Sequence, residues 1–212
     1  RYYLSRGIST GVTNNGRPGN LLTEAIATSD PDDFGMMRPA QLLGATNWRL
    51  KKAPSQTLNQ WSSPLEIDPG FEAEALQAMI KANAWAASIF PQFLTMVEEV
   101  TDPAHKRLII ITADATLAMK WVALATLFIE TSRSLSLSIR GLVADPMTTR
   151  ADIVAASPDF GPQPDPSTPR AGVNIIDLDR RAIAEITPSE SALIQANWFL
   201  KEDSTTALAA ID

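Results

Sequence analysis

The sequence predicts an α+β fold, rich in helix, with a strand–helix–strand unit near its centre at about 108–143 and an extended N-terminal arm. An all-α fold is the alternative. Three observations carry this expectation. Leu108–Ile129 is a run of 22 mostly apolar residues that opens with Ile109-Ile110-Ile111. Branching at Cβ restricts rotamers in a helix, so such an opening favours a strand. Ser134–Val143 then alternates, with Leu135, Leu137 and Ile139 on one face and serines on the other, the period of a half-buried strand. The flanking stretches 68–90 and 187–203 carry helix caps and helical spacing.

In chain order, residues 1–20 are rich in Gly, Asn, Ser and Thr without a sustained period, and read as an extended arm. Leu21–Thr28 reads as a short helix that stops at Asp30-Pro31, and 38–45 as another, with Pro39 in its first turn. The stretch 47–64 holds Pro54 and Pro64 and reads as irregular. Asp68 caps the next helix, Pro69 fits its first position, and Glu72 and Glu74 suit the positive end of its dipole. Pro91 lacks an N–H and is expected to break or kink that helix.

Residues 108–112 read as a strand, followed by a turn at Ala113-Asp114 and a helix to about Ser132. The other option is one long helix capped at Asp102. Asp145-Pro146 opens a short helix over 145–157. Residues 157–172 hold five prolines and read as an extended, polyproline-like segment. Residues 172–179 suit a strand. Thr187, Pro188 and Glu190 make the start of a helix with a capping box. These elements divide the chain into an arm (1–20), a main domain (21–156), a proline-rich segment (157–171) and a C-terminal strand and helix (172–212) packing on the same domain.

Composition bounds the function. A chain of 212 residues with 45% apolar content is able to build a sizeable core. Its net charge of −6 opposes a dedicated nucleic-acid binder, whose affinity rests on Lys and Arg. The charge is uneven: residues 1–23 hold Arg1, Arg6 and Arg17 and no acid, whereas 141–212 hold five basic and eleven acidic residues. The absence of cysteine excludes disulfides and thiol chemistry. The apolar run 108–129 is long enough to span a bilayer, but Asp114 and Lys120 lie inside it. Each costs about 2.5–3.5 kcal/mol at the bilayer centre, so no membrane span is expected. The chain opens on Arg1 rather than Met, as a fragment or processed product does. The compartment is left open: virion or cytoplasm follows if the role is structural.

No motif specifies a reaction. Asp-Phe-Gly, the tripeptide that holds magnesium in protein kinases, occurs at Asp33–Gly35 and again at Asp159–Gly161. The Gly-rich loop and H-R-D signature that must accompany it are missing. Each copy reads instead as a helix-exit turn that pins Phe34 or Phe160 in a core. His105 is the only histidine, with Asp102 three residues before it. There is no P-loop and no dinucleotide fingerprint, so neither a cofactor nor a metal is assigned. One basic and aromatic cluster stands out as an interaction site: Trp48, Arg49, Lys51, Lys52 and Trp61. Such mixtures suit nucleic acid or a protein interface.

An arm and proline-rich segments bury little within their own chain and are often ordered by neighbours. The leading expectation is therefore a structural, self-associating subunit of a larger assembly, of the capsid or coat type. Its partners are copies of itself or other structural subunits. One alternative is a small α/β enzyme with carboxylates Asp114, Asp145 and Asp177 at the carboxyl ends of its strands. The other is an adaptor that binds an anionic partner through Arg49, Lys51 and Lys52.

Overall fold

Tyr2–Val12 (β1) and Pro18–Thr28 (β2) pair as a long antiparallel hairpin in the computed structural model, which describes residues 1–12, 15–16, 18–51, 55, 57, 63–103, 105–209 and 211. Residues 2–12 of the expected arm are thus a strand and 18–20 open its partner, while 13, 14 and 17 lie outside the described residues. The expected helix over 21–28 is the rest of that partner. Period two explains the result. Tyr2, Leu4, Arg6 and Ile8 share one half-buried face with Leu22, Glu24, Ile26 and Thr28, and pairing overrode the weak helical propensity of an eight-residue stretch.

A second unit follows. The helices are α1 (Ala73–Lys81), α2 (Ala84–Thr101), α3 (Ala115–Leu127), α4 (Thr131–Ser134), α5 (Glu190–Lys201) and α6 (Ser204–Leu208). The strands are β3 (Arg107–Ile111), β4 (Ile139–Val143), β5 (Ile153–Ala156), β6 (Val173–Asp177) and β7 (Ala182–Ile183). They form a five-stranded sheet in the order β4-β5-β3-β6-β7, parallel except for β7. The protein is therefore mixed α/β, with this sheet and the separate hairpin, and it is neither helix-rich α+β nor all-α. The error came from two stretches that read as helix and are strand, β2 and β5. All four residues of β5 are buried. A central parallel strand covered on both faces does not alternate, and a short apolar run of that kind looks the same as a buried helix.

Several boundaries moved for local reasons. Asp68 caps a 3-10 turn, Pro69–Phe71, rather than a long helix, accepting from the Gly70 N–H at 2.7 Å. The helical stretch breaks at Asn83, whose Oδ1 accepts from the Ala86 N–H at 3.2 Å and opens α2. Pro91 lies inside α2 without ending it. Leu135, Leu137 and Ile139 are half-buried and alternate with exposed Ser136, Ser138 and Arg140, yet strand pairing begins only at Ile139. Ser189, two residues beyond the expected cap, opens α5 by accepting from the Ala192 N–H at 2.9 Å.

The sheet divides the core in two. Leu108, Ile110, Ile153, Ala155 and Ile176 face the helices. There Phe90 and Phe93 of α2, Trp121 of α3, Phe128 and Phe199 of α5 pack ring against ring, with centroids 4.8–6.2 Å apart. Pairs of this kind add about 0.5–1.5 kcal/mol each beyond area burial. Ile109, Ile111, Val154, Ala156 and Ile175 point the other way, where Met147 and Ala151 pack on them. Arg107 holds that covering loop, its guanidinium donating to the carbonyls of Thr149 (2.6 Å), Pro146 (3.2 Å) and Met147 (3.3 Å).

Candidate functional site

Parallel strands aim their carboxyl ends at one edge of the sheet, the usual place for a ligand in an α/β fold. Asp114 follows β3, Asp145 follows β4, and Asp177 ends β6, so the fold does bring these three to that edge. Each is turned to main-chain N–H groups. Asp114 Oδ1 caps α3, accepting from Thr116 (2.8 Å) and Leu117 (2.9 Å). Asp145 Oδ1 accepts from Met147 at 2.9 Å. The Thr148 hydroxyl, then the Met147 and Thr148 N–H groups, hold its carboxyl below the usual carboxylate range. Asp177, 2% exposed, accepts from the Arg180 N–H at 2.9 Å, with Arg180 Nε 3.6 Å from its second oxygen. A fourth carboxylate, Asp179, ties β6 to the start of α3 by accepting from Thr112 Oγ1 and the Ala113 N–H, both at 2.7 Å. Among the described residues no three His, Asp or Glu side chains converge as metal ligands.

His105 lies at the opposite edge. Its Nε2 is 3.0 Å from Asp152 Oδ1, not paired with the Asp102 carboxylate. Ser138 Oγ donates to the other oxygen of Asp152 at 2.8 Å. The three residue types of a hydrolytic triad meet here in the wrong order. Nucleophile activation needs His between Ser and Asp, and here Asp lies in the middle.

The basic and aromatic cluster is dispersed. Trp48 is 7% exposed, and its indole N–H donates to the Leu42 carbonyl at 2.8 Å. Arg49 lies at the surface beside Glu24, Nε to Oε1 3.9 Å. Lys51 is exposed, and Lys52 and Trp61 lie outside the described residues. The two Asp-Phe-Gly stretches do share a local structure. Pro31–Phe34 and Pro158–Phe160 are 3-10 turns, capped by Asp30 and Ser157 and closed by Gly35 and Gly161 at positive φ. They follow strands, not helices. Phe34 is buried, edge-on to Tyr2 at 5.8 Å, whereas Phe160 is 58% exposed, so only the first pins a core residue.

Two features join the N-terminal part to the α/β unit. Pro39–Gly44 is a 3-10 helix lying on α3. Arg38 precedes it and is 5% exposed. Its Nε donates to the carbonyls of Ile129 (3.1 Å) and Thr126 (3.3 Å), and its Nη1 donates to Thr131 Oγ1. A cation at a helix C-terminus meets the negative end of the dipole and the last unpaired carbonyls. Gln41 adds a bond from Nε2 to the Phe71 carbonyl at 3.0 Å.

Two surfaces are unusually apolar. On α5, Leu193 and Ile194 are 49% exposed and Trp198 46%, while Ala192, Ala196 and Phe199 pack inward. On the hairpin, Tyr3 and Leu21 are 69% and 68% exposed.

Residues 1–64 match the family model of GTPase-associated protein 1, N-terminal domain type 2. Residues 76–180 match that of GTPase-associated protein 1, middle domain. The chain is similar to GTPase-associated protein 1 over both stretches. No curated protein and no solved structure matches the chain. The Arg38 contacts, with Pro39–Gly44 on α3, join the stretch similar to the N-terminal domain to the stretch similar to the middle domain, and α5 lies beyond both. No helix among the described residues is long and apolar enough to cross a membrane.

Neither apolar surface was singled out from the sequence. A signal for α5 was present: Ala192, Leu193, Ile194, Ala196, Trp198, Phe199 and Leu200 place apolar residues all round the helix, more than one buried stripe needs. For the hairpin the signal was hidden, because its faces have no meaning until the register is known.

Proposed function

We propose that the chain is a protein-binding subunit of a GTPase-containing assembly, and that α5 is the face it presents to the GTPase. The observation that carries this reading is the exposure of Leu193, Ile194 and Trp198 on one helix. Exposed apolar residues grouped this way mark interaction sites, and Trp is enriched where binding energy concentrates. The matched family models, named for association with a GTPase, support the class of partner. To test it, the tagged chain is purified from its native source and GTP hydrolysis in the eluate is assayed. A GTPase is expected to co-elute with the unaltered chain and to fall at least tenfold with Ile194→Asp and Trp198→Ser combined, at unchanged thermal midpoint. No co-eluting GTPase, or full retention by the variant, overturns the reading.

The self-associating structural subunit is the second reading. Its capsid-type form rests on an extended arm, much of which is β1, and on the proline-rich segments, and self-association is the part carried forward. The outward face of the hairpin favours it.

A further inference from the structure

The strands of the hairpin keep their charges on the inner face. The two charged residues of these strands, Arg6 and Glu24, lie directly opposite each other. There Arg6 Nη1 donates to the Ala45 carbonyl at 3.3 Å, and Glu24 accepts from the Arg49 N–H. The outer face carries Tyr3, Ser5, Gly7 and Ser9 of β1 and Leu21, Thr23, Ala25 and Ala27 of β2. None is charged, and all but half-buried Ser5 are exposed. A ribbon with one face in water normally turns its most polar side chains outward. This one presents a bare face instead.

The geometry points to a second copy of this chain as what covers it: two hairpins packed outer face to outer face about a two-fold axis. Self-complementarity argues for that occupant, since the same patch must fit itself. Opposite pairs in the ladder run Tyr3↔Ala27, Ser5↔Ala25, Gly7↔Thr23 and Ser9↔Leu21. The two large side chains therefore sit at opposite ends and on opposite strands, with small residues between them. A two-fold axis in the plane of the face, perpendicular to the strands, sets Tyr3 over the partner's Ser9. It also sets Leu21 over the partner's Ala27 and Ala25 over the partner's Thr23. Each large residue meets a small one. Gly7 keeps the centre low, since a Cβ there would come within 3.0 Å of Thr23 Oγ1. Among the described strand residues no like charges face each other, although the chain as a whole carries −6.

The footprint sets the strength. Strands of 11 residues, at about 3.4 Å per residue and two strands about 4.8 Å apart, give a face roughly 37 Å by 10 Å. That is about half the 800 Å² per partner of a standard interface, so the dimer belongs to the weak, transient class.

Sedimentation of the full chain from about 1 to about 500 μM tests this. A monomer–dimer equilibrium is expected in that range. Ala25→Glu and Thr23→Lys, each on the outer face, are expected to shift the midpoint at least tenfold toward monomer, with unchanged circular dichroism. Mixing Ala25→Glu chains with Thr23→Lys chains is expected to restore dimers, because the two new charges meet across the axis. A chain that stays monomeric throughout overturns the proposal. So does a dimer indifferent to Ala25→Glu, which points to edge pairing or another surface, and so does a mixture no more dimeric than its components. Each outcome is independent of whether a GTPase binds α5.

Discussion

Arg38 Nε lies 3.1 Å from the Ile129 carbonyl oxygen, across 91 residues of sequence. That contact closes the C-terminal end of α3 with a side chain from the N-terminal part of the chain. It ties the segment that follows the hairpin to the α/β unit, and it shapes the first prediction. Arg38→Met removes the donor to two carbonyls and a hydroxyl and strands them in a buried site. The expected cost is about 3 kcal/mol, from charged hydrogen bonds worth about 1.5–3 kcal/mol each and the desolvation left behind. Arg38→Lys is expected to recover less than half, since a point ammonium does not reproduce the planar fork. Urea unfolding measures both, and an unchanged midpoint in Arg38→Met shows the contact to be energetically idle.

Gly44 is needed for space. A Cβ at this position would lie 2.3 Å from the Phe71 ring, and both residues are buried. Gly44→Ala is expected to destabilise by about 1–3 kcal/mol through overpacking. At Gly141, in β4, an added Cβ would meet nothing within 4 Å, and Gly141→Ala is expected to change stability by less than about 0.5 kcal/mol. Equal effects at the two sites contradict the packing account.

The two Asp-Phe-Gly turns separate by their phenylalanines. Phe34 is 6% exposed and Phe160 58%. Phe34→Ala is expected to cost about 3 kcal/mol, the loss typical of a buried aromatic, and Phe160→Ala near zero. Thermal unfolding of the two variants side by side decides whether the first turn anchors the hairpin.

Asp203 caps α6, accepting from the Thr206 N–H at 2.9 Å and the Thr206 hydroxyl at 2.5 Å. The hydroxyl, then that N–H, holds its carboxyl below the ordinary carboxylate range. A pKa lower in the folded than in the unfolded chain stabilises the fold above the unfolded pKa. That contribution is lost as pH falls through the folded one. An NMR titration is expected to place the Asp203 midpoint below that of an ordinary aspartate, and Thr206→Val is expected to move it back up. A midpoint insensitive to Thr206→Val assigns the shift to another cause.

Local chemistry was legible in the residues themselves. Three isoleucines marked β3, Asp114 marked the start of α3, and Asp-Phe-Gly shortly after Asp30-Pro31 and Ser157-Pro158 marked two turns, because strand propensity, caps and turn residues act over a few neighbours. Whatever depended on a partner far along the chain was decided by the tertiary structure. β2 became a strand because β1 lies beside it, and β5 because β4 and β3 cover both of its edges. Trp48 became core because Leu42 receives its N–H, whereas Trp198 stayed half in water because α5 buries a different stripe. Asp114, Asp145 and Asp177 were brought to one edge of the sheet by parallel pairing, and their neighbours' N–H groups then engaged them. The hairpin's bare face followed from register alone. With a side-chain period of two, moving β1 by a single residue would have turned Arg6 outward and Tyr3 inward, and moving β2 would have done the same to Glu24 and Leu21.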